Sequence, residues 1–475
     1  MVNSAVSDEM PDTMTPTDPA TRDASHPIAS PARGLASAWL LLGIAALAIA
    51  GLFAILLVVA RMPGTGAFFP TQDFFRTALV VHVDQSVLIW FLAFAGALWS
   101  LGACAPRRVT VARRIALLLA ALGCVVVAVA PFLGAGDPLL NNYVPVLQHP
   151  LFYTGLGLFG AGALLQAVLA LRAAAGAPAG LLARPADLAV LTAAFATLVA
   201  IAALAWTWLR LDRWEGHAYF EFLFWGGGHA IQFGYTQLML GAWLMLAGAV
   251  GVSLGVRPRV LGALVLLGAL PLLAVPLIYA QHPVDTAETR LAFTRLMQWG
   301  NGLAAIPIGA IVAVGLLRHR GQPAPDQRPL RNALGASLLL FAVGGLIGWA
   351  IAGVNTIIPA HYHGSIVGVT LALMGLTYHL LPKLGLGLPP PRLAALQPVV
   401  YAGGQLLHVG GLAVSGVMGI ERKTAGAAQG LDTLGAKAAM GVMGLGGLLA
   451  VIGGILFVVA VIVAVRRRRL THPDR

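Results

Sequence analysis

About twelve times along this chain, a run of roughly 20 or more mostly apolar residues recurs, each long enough to carry a helix across a bilayer. In lipid, backbone N–H and C=O groups can be satisfied only by the chain itself, so such runs fold as helices packed side by side. The pattern predicts an all-α, polytopic membrane protein with twelve transmembrane spans, near residues 36–60, 78–103, 114–134, 151–174, 186–209, 218–252, 258–280, 291–318, 330–352, 358–382, 394–418 and 440–466. Composition leaves no room for a sizeable soluble domain, since 58% of the 475 residues are hydrophobic and only 10% are charged. A net charge of +12 would suit a nucleic-acid binder, but the cations sit in short loops between apolar runs. Loops after even-numbered spans carry pairs such as Arg107 and Arg108, Arg257 and Arg259, and Lys383 and Arg392, whereas loops after odd-numbered spans are close to neutral. That asymmetry is a topology signal that puts both termini in the cytoplasm; no nucleic-acid partner is implied. Residues 1–35, polar and rich in Pro, Ser and Thr, read as a disordered cytoplasmic tail, residues 36–466 as the transmembrane domain, and residues 467–475 as a basic cytoplasmic tail. The two cysteines, Cys104 and Cys124, argue against a disulfide framework or a thiolate metal site.

With this topology the histidines can be placed by depth. His82 lies just inside the outer start of the second span, His229 about three turns into the sixth, His282 at the outer end of the seventh, and His361 and His363 at the outer entrance of the tenth. Five histidines from four spans thus share the outer third of the membrane, where imidazole is costly unless something binds it. Residues two apart on a helix point about 200° away from each other, so His361 and His363 cannot grip one metal from one side. They can hold two separate centres on opposite flanks. One pairs His363 with His82 around a six-coordinate iron. The other takes His361 as sole protein ligand, with the far face of the iron open to a small molecule. His229 and His282 would stand across that open face and hold a second metal, copper or iron by ligand type.

Several stretches together resemble the catalytic subunit (subunit I) of the haem–copper oxidase superfamily: "HVDQSVLIWFLAF" around His82, "GGGHAIQF" around His229, "QHPVDTAETR" at Gln281 and His282, "AHYHGS" at His361 and His363, and "GIERKTAGAAQ" at Arg422 and Lys423. The resemblance implies a haem–copper oxidase-like bundle holding two haems. One is low-spin on His82 and His363, the other high-spin on His361; b is the expected type, which the residues leave open. It also implies a copper or non-haem iron on His229 and His282, with Gln281 as a weak third ligand. Arg422 and Lys423 would pair with haem propionates. Its implied partners are a subunit II-like electron-entry subunit or c-type cytochrome, a gas substrate and the lipid of a bacterial-type inner membrane.

Three departures matter. Gln281 stands where the family usually has a histidine. Phe233 stands four residues after His229, where oxygen-reducing members commonly have a tyrosine. The inner half of the bundle has few protonatable groups, Thr370, Thr377, Tyr378 and Gln237 being the modest candidates, while Asp84, Glu221, Asp285 and Glu288 lie toward the outer face. Reduction of dioxygen to water is the expected reaction, and nitric oxide reduction to nitrous oxide is the alternative that the missing groups favour. A transporter using intramembrane histidines is the rival from another class, but it gives no reason for the His-x-His spacing. Bland roles compete at single positions: helix packing for the glycines before His229, capping for His282, and hydrogen bonding for His408 and His149.

Overall fold

The computed structural model describes residues 30–64, 72–101, 107–134, 136–175, 180–212, 216–319, 321 and 323–471. Fifteen α-helices account for nearly all of it: α1 (Ser30–Arg61), α2 (Gln72–Val83), α3 (Trp90–Leu101), α4 (Arg107–Val129), α5 (Pro150–Ala175), α6 (Pro185–Arg210), α7 (Gly216–Ala249), α8 (Pro258–Ala269), α9 (Ala274–Gln281), α10 (Ala287–Gly300), α11 (Gly302–Arg318), α12 (Arg328–Trp349), α13 (Ile357–Lys383), α14 (Pro391–Val417) and α15 (Leu434–Thr471). The all-α polytopic expectation holds. Ten described helices are long and apolar enough to cross a membrane. The sixth and eleventh expected spans, α7 and α14, are long enough at 34 and 27 residues, but are not among those ten. Both carry polar groups inward, such as His229 and Gln237 on α7 and Gln405 and His408 on α14. Most of the expected N-terminal tail lies outside the described residues, although α1 already starts at Ser30. At the other end α15 runs to Thr471, through the arginine run.

Three spans are built from pieces. Between α2 and α3 the chain winds as a π-helix over Asp84–Ile89. Between α8 and α9 it tightens to a 3-10 turn over Leu270–Leu273, where Pro271 has no N–H to donate. The eighth span is α10, capped by the Thr286 hydroxyl accepting from the Thr289 N–H, followed by α11 after Asn301.

Sequence neighbours pack as hairpins, α4 with α5, α6 with α7, α12 with α13 and α14 with α15. The innermost helix is α13, which contacts α7, α12 and α14. Of its most apolar 18-residue stretch 83% is buried, against 67% for the second span. A helix without an amphipathic stripe belongs in such a position. Its N-terminal half touches α12 almost backbone to backbone. A Cβ on Gly344 would run into the main chain at Gly364 and Ser365, and one on Gly364 into Gly344. Without a hydrophobic force between helices in lipid, close packing of this kind supplies the attraction.

Outside the helices a two-residue antiparallel ribbon, β1 (Pro138–Leu139) and β2 (Val146–Leu147), pairs Pro138 with Leu147 and Leu139 with Val146. Residues 140–145 form its tip, which reaches over the end of α7.

Candidate haem and metal centre

Four predicted ligands share one hydrogen-bonding pattern. Nδ1 of His82 donates to the Ala50 carbonyl at 2.9 Å, Nδ1 of His361 to Gly344 at 2.7 Å, Nδ1 of His363 to Pro359 at 2.9 Å, and Nδ1 of His229 to Trp225 at 2.7 Å. A carbonyl oxygen only accepts, so each Nδ1 carries the ring proton and each Nε2 keeps its lone pair. Ligating histidines are oriented in this way, with the second nitrogen held by the backbone and the first left for metal. His82, His361 and His363 therefore fit haem iron.

The two rings on α13 leave it toward different neighbours. His361 turns to α12, where its ring lies against Gly348 as well as bonding to Gly344. His363 turns to α14, its ring centroid 4.8 Å from that of His408, and His82 and Arg61 lie within electrostatic reach of it. Thus the structure brings His82 and His363 into one neighbourhood and separates His361 from it. His408 is buried, with Nδ1 donating to the Met443 carbonyl at 2.9 Å. Its hydrogen-bonding role matches the bland expectation, whereas its tilted ring contact with His363 had no sequence signal. His149 accepts the Leu151 N–H at the start of α5.

His229, 2% exposed, is walled by the Trp225 and Phe293 rings. The glycine triplet before it does more than pack helices. Side chains on Gly226 and Gly228 would occupy the places of the Tyr279 hydroxyl and the Tyr143 ring, while Gly227 faces the α6 backbone at Ala200. Tyr143, from the ribbon tip, meets Nε2 of His229 with its hydroxyl at 2.9 Å. No sequence reading pointed to it. Phe233 is buried beside Leu272 and Phe293, and Tyr235 faces Phe91. His282 ends α9 in extended backbone, half-buried, and Gln281 is exposed. Among the described residues no three His, Cys, Asp or Glu gather to hold a metal. Tyr143 instead of Gln281 stands against His229.

Above these rings a polar network ties the ribbon tip to the loop after α14. Glu221 accepts from the Asn142 N–H at 2.8 Å and from its side-chain amide at 2.5 Å, with Arg290 3.6 Å away. Arg422 donates to the Asn142 side-chain oxygen at 3.1 Å, and the Lys423 ammonium donates to the carbonyls of Leu140 and Asn141. Burial, with repulsion from Arg422, lowers the Lys423 ammonium to about 8. Burial, then the negative charge of Glu221, raises the Tyr143 phenol above its ordinary range, so it stays a donor. Arg76, His217, Arg422 and Lys423 line an open cavity of about 430 Å³, a cationic cradle of the kind a propionate needs. Of the carboxylates expected toward the outer face, Asp84 is fully buried, its carboxylate without a hydrogen-bond partner among the described residues, whereas Glu288 is exposed.

A many-spanned helical bundle with imidazoles oriented by backbone carbonyls fits a class of membrane redox protein. Residues 34–449 match the family described as cytochrome c and quinol oxidase polypeptide I, and the chain belongs to that family. It is 30% identical over 489 residues to an uncharacterized protein of Rickettsia prowazekii (strain Madrid E), covering 89% of this chain and 94% of that one. It is also 30% identical over 355 residues to an uncharacterized protein of Aquifex aeolicus (strain VF5), covering 73% and 84%. Its fold is similar to that of a haem–copper terminal oxidase dimer solved by cryo-electron microscopy. The TM-score is 0.71 at 18% identity, over 91% of this chain and 84% of that one.

Proposed function

We propose that this chain is the catalytic subunit of a respiratory terminal reductase in a bacterial-type plasma membrane, with cytoplasmic termini and dioxygen as electron acceptor. One observation carries the reading: two imidazoles at adjacent-but-one positions of α13 turn toward different neighbours, each with its Nδ1 tied to a carbonyl. In this reading His82 and His363 hold a low-spin haem, His361 a high-spin haem, and His229 with His282 a copper or non-haem iron. When bound, such groups supply the one-electron steps and an open iron face for gas, which side chains alone lack.

The chain's own residues do the positioning. The carbonyls of Ala50, Gly344, Pro359 and Trp225 fix which nitrogen of each ring faces the metal. Arg422 and Lys423 offer cations to propionates at the membrane edge. Trp225, Phe293 and Phe233 keep water from the surroundings of His229. Electrons arrive from a c-type cytochrome through a subunit II-like partner, since two cysteines cannot build an electron-entry copper site here.

Nitric oxide is the second reading, favoured by the buried phenyl ring of Phe233 one turn after His229 and by the scarcity of inner protonatable groups. Purified protein offered each gas in turn, with reduced cytochrome c as donor and an electrode for each gas, separates them. Oxygen uptake without nitric oxide loss is expected, and the reverse result moves the assignment to nitric oxide. A reduced-minus-oxidised spectrum without haem bands would sink both in favour of a transporter.

A further inference from the structure

Tyr143 is held in place far more firmly than a loop tyrosine needs to be. It is one of only two non-glycine residues among those described with left-handed backbone, at φ 70°, and the other is Lys423 at φ 62°. Such strain persists only where surrounding contacts over-determine it. Here they do: Lys423 holds the carbonyls of Leu140 and Asn141, Arg422 and Glu221 hold Asn142, and the missing side chain of Gly228 makes room for the Tyr143 ring. The phenol oxygen is thereby fixed 2.9 Å from Nε2 of His229.

An imidazole nitrogen has a single in-plane lone pair. Nδ1 of His229 is committed to the Trp225 carbonyl, so Nε2 can serve either the Tyr143 proton or a metal, not both. A metal arriving at His229 therefore evicts that proton from a phenol oxygen that has little room to retreat. Metal–nitrogen and metal–oxygen bonds of about 2.0–2.2 Å meeting near 90° place their donor atoms about 2.8–3.1 Å apart. The observed 2.9 Å falls inside that window.

Resting on the reading of His229 as a ligand, we propose that Tyr143 Oη is a donor to the second metal, taking the coordination position that Gln281 cannot fill well. The phenol O–H bond is exchanged for a metal–oxygen bond and the proton is released to solvent, as metal binding to acidic donors requires. A hard phenolate oxygen beside imidazole favours iron over reduced copper.

The test compares Tyr143→Phe, which keeps the ring and removes the oxygen, with Tyr143→His, which restores a donor. Purified full-length protein is assayed for haem and for metal in excess of haem iron, before and after dialysis against a mild chelator. Wild type should carry both haems and one further metal. Tyr143→Phe should keep both haems and bind the further metal about 10–100-fold more weakly, and Tyr143→His should regain it. Retention of that metal by Tyr143→Phe at wild-type chelator resistance overturns the proposal. So does loss of haem along with it that histidine does not rescue. Wild type with both haems and no further metal also overturns it, leaving Tyr143 as a plug on His229. Wild type without haem sinks the underlying reading as well.

Discussion

Gly344→Ala tests whether the contact between α12 and α13 sets the His361 ring. The new methyl group would meet the main chain at Gly364 and Ser365, which cannot rotate aside as a flexible side chain would. The helices must part. Nδ1 of His361 now reaches the Gly344 carbonyl at 2.7 Å, and beyond about 3.5 Å that contact is no longer a hydrogen bond. A separation of roughly 0.8 Å (3.5 − 2.7) is therefore enough to free the ring. Overpacking costs about 1–3 kcal/mol and the lost hydrogen bond about 0.5–1.5 kcal/mol, so about 1.5–4.5 kcal/mol together. The neighbouring Gly345→Ala is the control: a Cβ there meets nothing within 4 Å, and both changes carry the same helix-propensity gain. Thermal unfolding in detergent should separate the two variants by that amount. Carbon monoxide difference spectra should show the high-spin haem retained in Gly345→Ala and about 10–100-fold more weakly held in Gly344→Ala. Equal stability and equal carbon monoxide binding in the two variants would show that the contact does not position His361.

His363→Ala should erase the low-spin haem signal while carbon monoxide binding persists. Because the His408 ring lies within 4.8 Å, the double change with His408→Ala is run alongside to exclude a substitute ligand, and survival of both haem signals in the double variant refutes the pairing. Lys423 gives a pH effect with a definite sign. Its folded-state value is lowered to about 8, whereas an unfolded lysine titrates near 10.4, so between those values the unfolded chain binds more protons and stability rises with pH. The unfolding temperature of haem-free wild type should gain between pH 7.5 and 10 relative to Lys423→Met; an equal gain in both discounts Lys423 as the cause. A docked carboxylate should pull the ammonium back up and shrink that gain.

The parts of this architecture legible in the amino-acid order are those written in local patterns. Long apolar runs define spans because lipid leaves the backbone one choice, and the observed helices fall within a few residues of those runs. The opposite facing of His361 and His363 follows from helical geometry, and α12 and α14 receive the two rings separately. Pro271 falls in the break before α9. Tyr143 was invisible for the opposite reason. The loop that carries it has no periodicity, and its anchors lie far off in the chain: Glu221 is 79 residues from Asn142, and Lys423 is 283 from Leu140. The burial of Asp84 was missed likewise, because no Pro or Gly flags the π-helical turn it opens.

That turn, Asp84–Ile89, changes how the second span can tolerate change. One residue more than a regular helical turn requires offsets the two halves of the span by about 100° about the common axis. The imidazole on α2 and the Trp90, Phe91 and Phe94 rings on α3 are thus indexed independently, like two shafts joined by a coupling. Removal of a single residue from the coupling would restore even winding and swing the His82 imidazole roughly a quarter turn away from Ala50, with every apolar contact below it unaltered.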